Sequence, residues 1–190
     1  MKILFATSNE HKVRMVESRL GRPLHQVQLD LPEIQAVDVQ DVIEQKTLAA
    51  YQLTGEPVLV EDTSLSFTAW NGLPGALIRW FLETVGNEGI CRMLADYDDL
   101  EAQAETCLGY FDGLHFAAFS GVVKGQISRR PRGDNGFGWD PIFIPRGWTK
   151  TFAEMTIDDK ANFVSMRTEA VLRLKAYLDM LEKYGRQYPV

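Results

Sequence analysis

Lys2-Ile3-Leu4-Phe5-Ala6-Thr7-Ser8-Asn9-Glu10-His11-Lys12 is the stretch that decides the fold class. Lys2 to Thr7 is largely apolar and reads as a strand. A helix follows from about Asn9, with Val13, Val16 and Leu20 recurring on one face, and Gly21-Arg22-Pro23 ends it. Strand, polar loop and helix in that order place a binding loop at the carboxyl end of a strand, where open α/β sheets hold their ligands.

Working outward, Leu24 to Leu31 reads as a second strand. Val39, Val42, Ile43, Ala49, Ala50 and Leu53 fit an amphipathic helix closed by Gly55. Pro57 to Val60 is a short apolar strand that runs into Glu61-Asp62, and residues 62–75 read as loop. Ala76 to Val85 and Glu88 to Ala95 are two helices broken at Gly86. Asp112-Gly113, between Thr106–Phe111 and Leu114–Phe119, signals a hairpin. Val122 to Ser128 adds a strand, and Ile142 to Ile144 a short buried one. Val171, Leu174, Leu178 and Leu181 give a final helix. Helices and strands alternate first and a meander follows. The expectation is one α/β domain over residues 1–190: a mixed sheet flanked by helices, opening into two lobes around a cleft.

With 45% apolar and 24% charged residues in 190, the chain matches an ordinary globular protein with a sizeable core. A net charge of −6 argues against a broad nucleic-acid-binding face, although a local basic cluster can still hold phosphates. Cys91 and Cys107 provide neither a disulfide framework nor metal-ligand spacing and read as core thiols of a reduced compartment. No stretch is long and apolar enough for a signal peptide or a membrane span, so a cytoplasmic protein is expected.

Four groups of residues could carry chemistry. In Gly133-Asp134-Asn135-Gly136-Phe137-Gly138-Trp139-Asp140-Pro141-Ile142-Phe143, closely spaced glycines flank two large aromatics. Such a loop can hold a planar ring and hydrogen-bond its edge, or its aromatics can simply plug the core. Thr7 to Lys12 offers hydroxyl and N–H donors and a lysine at a helix start, which suits a phosphate, or equally plain capping by Ser8 or Asn9. Glu61-Asp62-Thr63, with Glu33 as a third oxygen ligand, suits Mg²⁺ and water activation, or is a set of solvated loop acids. Lys46, Arg79, Lys160 and Arg167 form a scattered basic set that builds an anion site or decorates the surface. Together they point to an enzyme acting on a nucleoside triphosphate.

The chain also resembles the inosine triphosphate pyrophosphatase family, the Ham1/RdgB-like purine nucleoside triphosphate pyrophosphatases, over nearly its whole length. Thr7-Ser8-Asn9-Glu10-His11-Lys12 matches the opening Thr-x-Asn-x-x-Lys motif, and Leu31-Pro32-Glu33 matches Leu-Pro-Glu. Val60 to Leu65 matches the segment with the catalytic aspartate. Gly72-Leu73-Pro74-Gly75, Phe137 to Pro141, and Thr151-Phe152-Ala153-Glu154-Met155 match three further signatures.

The resemblance implies Mg²⁺-dependent hydrolysis between the α and β phosphates, on deaminated purines such as ITP, dITP and XTP. It assigns water activation to Asp62 and the metal to Glu33, Asp62 and Glu61. Asn9, Lys12 and Lys46 would grip the triphosphate, Phe137 would stack on the base with Trp139 and Asp140 lining the same pocket, Arg167 belongs to the pair that reads the base edge, and Thr7, Thr63, Arg79, Lys160 and Ser165 are further substrate-binding residues. It also implies a two-lobed fold and a homodimer. One segment departs from the family's Lys-Asn-x-x-Ser-His-Arg. In Lys160-Ala161-Asn162-Phe163-Val164-Ser165-Met166-Arg167, Met166 takes the histidine's place and Ala161 the lysine's, with Lys160 one residue early. Methionine has no donor for a keto oxygen. Two alternatives therefore stand beside the first expectation: the same chemistry on a pyrimidine or modified purine, and a nucleotide-binding protein without turnover.

Overall fold

The computed structural model describes residues 2–185. Its centre is a seven-stranded mixed sheet of β1 (Leu4–Ala6), β2 (His25–Val27), β3 (Val58–Phe67), β4 (Pro74–Gly75), β5 (Glu101–Phe111), β6 (Phe116–Ile127) and β7 (Phe143–Pro145). The order is β2-β1-β3-β5-β6-β7, with β4 paired to β3. β1 runs parallel to β2 and β3, and every pairing beyond β3 is antiparallel. The helices are α1 (Glu10–Leu20), α2 (Val39–Thr54), α3 (Ile78–Thr84), α4 (Gly86–Met93), α5 (Ile157–Ala161) and α6 (Met166–Tyr184). The expected mixed α/β class, the α3/α4 break and the terminal helix are all present.

Three cores hold the layers together. α1 and α6 bury Val13, Val16, Leu20, Val171, Leu174 and Leu178 against Phe5, Leu59, Leu108 and Tyr110 on one face of the near half of the sheet. α2 buries Val39, Ile43 and Ala50 against Val58, Val60 and Cys107 on the opposite face. The far half has its own core, in which Leu65, Phe67, Ile78, Ile90, Phe143, Phe152 and Trp139 meet. β3 crosses from the near half to the far half.

The structure differs from the sequence reading at three places. Residues 62–75 are not all loop: β3 continues to Phe67, paired with β5 from Val58↔Phe111 to Phe67↔Ala102. The polar run Glu61 to Ser64 hides the strand, because the partners that hold Glu61 and Asp62 come from elsewhere in the chain. The Asp-Gly hairpin has a four-residue loop, with Phe111 facing Phe116 and Asp112 Oδ1 accepting from the Leu114 and His115 amides at 3.0 Å each. The two strands expected at 114–119 and 122–128 are one strand, β6. Gly121 lies inside it because the α6 backbone passes directly over that position, where a Cβ would strike the Met166 carbonyl oxygen.

Candidate active site

Strand alternation at the middle of β3 organises the site. Leu59 faces α1 and α6, whereas Val58 and Val60 face α2. Successive side chains point to opposite faces, so Glu61 follows Leu59 and Asp62 follows Val60. On the first face, Glu61 is buried and bound by two cations. Its Oε1 is 3.0 Å from Lys12 Nζ and accepts from Arg167 Nη2 at 3.0 Å, while Oε2 accepts from Arg167 Nε at 2.8 Å. Burial works to raise the Glu61 pKa, but Lys12 and Arg167 outweigh it and hold the carboxylate below its ordinary value.

On the second face, Lys46 Nζ from α2 donates to Glu33 Oε1 at 2.6 Å and to Asp62 Oδ2 at 3.0 Å. Asp62 Oδ1 accepts from the Thr63 amide at 2.8 Å, which fixes the carboxylate's orientation. Burial works against the Lys46 ammonium, yet Asp62 and Glu33 keep its pKa raised. Glu33 stays below its usual range despite partial burial, through Lys46 and then Arg79 and Lys12. Arg79 sits 3.7 Å from Glu33 and also binds Glu83 at 2.7 Å. The sequence reading grouped Glu33, Glu61 and Asp62 as one oxygen set; the structure brings Glu33 and Asp62 together and places Glu61 across the sheet, where Lys12 and Arg167 take both its oxygens. Among the described residues no three His, Cys, Asp or Glu side chains gather into a metal-binding group. Two convergent carboxylates around one cationic position fit a hard divalent ion that takes its other oxygens from phosphates and water.

The loop after β1 caps the helix, one of the two readings its sequence allowed. The Asn9 side chain accepts from the Lys12 amide at 3.2 Å and caps α1, and Thr7 Oγ1 accepts from the Asn9 amide at 3.1 Å. The same capping starts α1 just past the carboxyl end of β1, from where Lys12 reaches Glu61 on β3.

Two cavities meet at Thr63, Phe137 and Trp139. One, of about 240 Å³, contains Glu33, Asp62, Arg79 and Trp80. The other, of about 420 Å³, contains Asp140, Lys160, Ser165, Met166 and Arg167. The two aromatics of the glycine loop divide their roles. Phe137 is 62% exposed, whereas Trp139 is 7% exposed and packs in the far core, its ring centroid 5.6 Å from that of Phe143. The loop is built to hold Phe137 out: Asp140 Oδ2 accepts from the Phe137 amide at 3.1 Å, and Asn87 Nδ2 donates to the Gly138 carbonyl at 2.8 Å. Desolvation raises the Asp140 pKa, an effect only partly offset by that amide and by Lys160 and Arg167.

Lys160 reaches the larger cavity because α5 ends at Ala161 and the chain turns before Ser165 caps α6 by accepting from the Thr168 amide at 3.2 Å. Met166 is buried among the far-core residues while also lining that cavity. The sequence reading missed Met15 and Arg19, which line the same cavity from α1. They lie three and seven residues after Lys12, on the same helix face, so the spacing was there to be read. It also missed Trp80 and Asn87.

The Ham1 family model matches residues 3–177. An inosine triphosphate pyrophosphatase of Schizosaccharomyces pombe is 44% identical over 183 residues, covering 93% of this chain and 95% of that protein. A dITP/XTP pyrophosphatase of Methanopyrus kandleri is 37% identical over 91% of this chain and 94% of its own length. Among solved structures, a HAM1 protein from Coxiella burnetii superposes with a TM-score of 0.83 at 26% identity, covering 95% of this chain and 99% of that one. The chain belongs to the Ham1 family.

Proposed function

We propose that this Ham1-family chain hydrolyses nucleoside triphosphates between the α and β phosphates, giving a nucleoside monophosphate and pyrophosphate, with deaminated purines (ITP, dITP, XTP) as substrates. The observation that carries the reading is the pair of cavities joined at Phe137: one holds the Glu33–Asp62 acid pair, the other is walled by aromatic and thioether groups with a few polar ones. The names of the relatives support the same reaction. The base fits the larger cavity, with Phe137 against its ring and Asp140, Lys160, Ser165 and Arg167 around it, and Trp139 forming the floor. The triphosphate runs past Thr63 toward the β1–α1 loop, within reach of Thr7, Asn9, Lys12, Lys46 and Arg79.

In this reading Asp62 is the group that orients the attacking water and receives its proton, with Oδ1 anchored by the Thr63 amide and Oδ2 by Lys46. Lys46 donates to Asp62 and Glu33 together and keeps Glu33 ionised. Glu33 and Asp62 would hold Mg²⁺, which when bound offsets charge developing on the phosphates. Glu61 positions Lys12 and Arg167 rather than binding the metal. The working form we propose is a cytoplasmic homodimer of single-domain chains that takes no nucleic acid and no membrane as partner, on the strength of the family resemblance. No helix among the described residues is long and apolar enough to cross a membrane.

A second reading keeps the chemistry and moves the preference to a pyrimidine or modified purine. Met166 favours it, since a thioether in the cavity wall offers no N–H to a keto oxygen. The test is pyrophosphate release with and without Mg²⁺ from ITP, XTP, dITP, dUTP and the four common triphosphates. Release confined to ITP, dITP and XTP is the expected result. Preference for another base would install the second reading. Tight nucleotide binding with turnover unchanged in Asp62→Asn would point instead to a protein that binds without catalysing.

A further inference from the structure

We infer that Arg19 is a specificity-determining residue that reads the carbonyl edge of the bound base; this rests on the reaction proposed above. Most hydrogen-bonding groups that line the larger cavity are already engaged within the protein. Arg167 lines it, but its Nε and Nη2 are both given to Glu61, which leaves Nη1 as its one nitrogen without a partner among the described residues. Ser165 Oγ is engaged by the Thr168 amide and the Thr168 hydroxyl, at 3.2 and 3.1 Å. Asp140 accepts from the Phe137 amide and offers an acceptor rather than a donor. Met15, Met155 and Met166 contribute sulfur, and Phe152 and Phe163 contribute rings. The cavity-lining cations that form no ion pair among the described residues are Lys160 and Arg19.

Geometry separates these two. Lys12, Met15 and Arg19 form one stripe along α1, about 100° round the helix from the stripe of Val13, Val16 and Leu20 that faces the core. The stripe begins at the Glu61 ion pair and ends at the mouth of the larger cavity. Arg19 is exposed, and its Nη1 donates to the Met15 carbonyl at 3.4 Å, which lays the guanidinium along the helix beside a second lining residue. A guanidinium presents a planar fork of donors that matches two adjacent acceptors. A 6-keto purine offers such a pair in O6 and N7. Adenine presents N7 beside an amino donor, which the fork cannot satisfy. An ammonium such as Lys160 attracts either base without that distinction.

The experiment compares kcat/KM for ITP and ATP in wild type, Arg19→Ala and Arg19→Lys, together with equilibrium Kd values for both nucleotides and thermal melts. Arg19→Ala is expected to lower the ITP:ATP ratio by about tenfold, the lower end of what one bidentate contact is worth at a partly solvated edge. Arg19→Lys, which restores the charge without the fork, is expected to recover less than half of that loss on a logarithmic scale. An equal fall for ITP and ATP would make Arg19 a general attractor of phosphate and overturn the inference, as would an unchanged ratio. A wild type that releases no pyrophosphate would sink the proposed reaction; the Kd ratios would then still decide the role of Arg19 at the base.

Discussion

Replacing Arg167 by methionine tests the buried charge triad. The Glu61 side chain is 1% exposed, that of Arg167 10% and that of Lys12 22%. The substitution keeps an unbranched side chain while deleting two hydrogen bonds of 2.8 and 3.0 Å to a carboxylate that water cannot reach. Removing one partner of a buried pair costs about 3–5 kcal/mol. Lys12 remains 3.0 Å from Glu61, so the loss should fall near the low end, about 3 kcal/mol. For a domain of this size that lowers Tm by roughly 6–12 °C. The double variant Glu61→Leu/Arg167→Met removes both buried charges and leaves Lys12 free to turn toward water. It should be less damaged than the single variant, with a coupling of about 2 kcal/mol. Urea unfolding followed by tryptophan fluorescence gives the free energies. A loss under about 0.5 kcal/mol in the single variant, or strict additivity in the cycle, would refute the claim that Glu61 depends on Arg167.

Three further outcomes follow from the same geometry. Gly121→Ala pushes a Cβ into the Met166 carbonyl and to within 2.8 Å of the Ala170 amide; overpacking of this kind costs about 1–3 kcal/mol. Because the strain falls on the first turn of α6, pyrophosphate release should drop further than stability alone accounts for, and a variant with wild-type activity would contradict this. Burial raises the Asp140 pKa in the folded state, so its neutral form favours folding: that contribution is fully present below the ordinary value of 3.8 and is lost as pH rises through the folded value. Asp140→Asn keeps an acceptor for the Phe137 amide and should therefore gain stability relative to wild type between pH 4 and pH 7; a difference that does not change with pH would count against the burial argument. Cys91 and Cys107 are buried and pushed up to about 11, so native protein at pH 8 should resist a thiol reagent until denatured, and rapid labelling of either would mean that its core opens.

Much of the fold was legible because its signals are local. The strand–loop–helix of residues 2–20, the α3/α4 break and the terminal helix each follow from apolar spacing and a glycine. What was hidden depends on partners far away in sequence. Glu61 to Ser64 reads as a polar loop because nothing nearby shows that Lys12, 49 positions earlier, and Arg167, 106 positions later, will neutralise Glu61. Gly121 reads as a strand break because the helix that needs its missing side chain begins 45 residues on, at Met166. Candidate residues could be picked out by their chemistry, but their grouping could not. Adjacency in sequence suggested that Glu61 and Asp62 act together, and adjacency in a strand is what sends them to opposite faces.

That separation gives the cleft its electrostatic character. One face of β3 carries a single carboxylate, Glu61, against two cations, Lys12 and Arg167. The other carries two carboxylates, Glu33 and Asp62, around one buried cation, Lys46. The first cluster is net positive and draws an anion; the second is net negative and draws a cation. A triphosphate travelling with a divalent ion is both at once, and Thr63, one residue beyond the two acids, lines both cavities where they meet. Had β3 slipped by one residue, every side chain would have changed faces: Glu61 would join Glu33 around Lys46, and Asp62, one carbon shorter, would have to reach Lys12 and Arg167. The ten-residue pairing with β5 holds that register, so the long strand that the polar run concealed is also what keeps the two charge clusters apart.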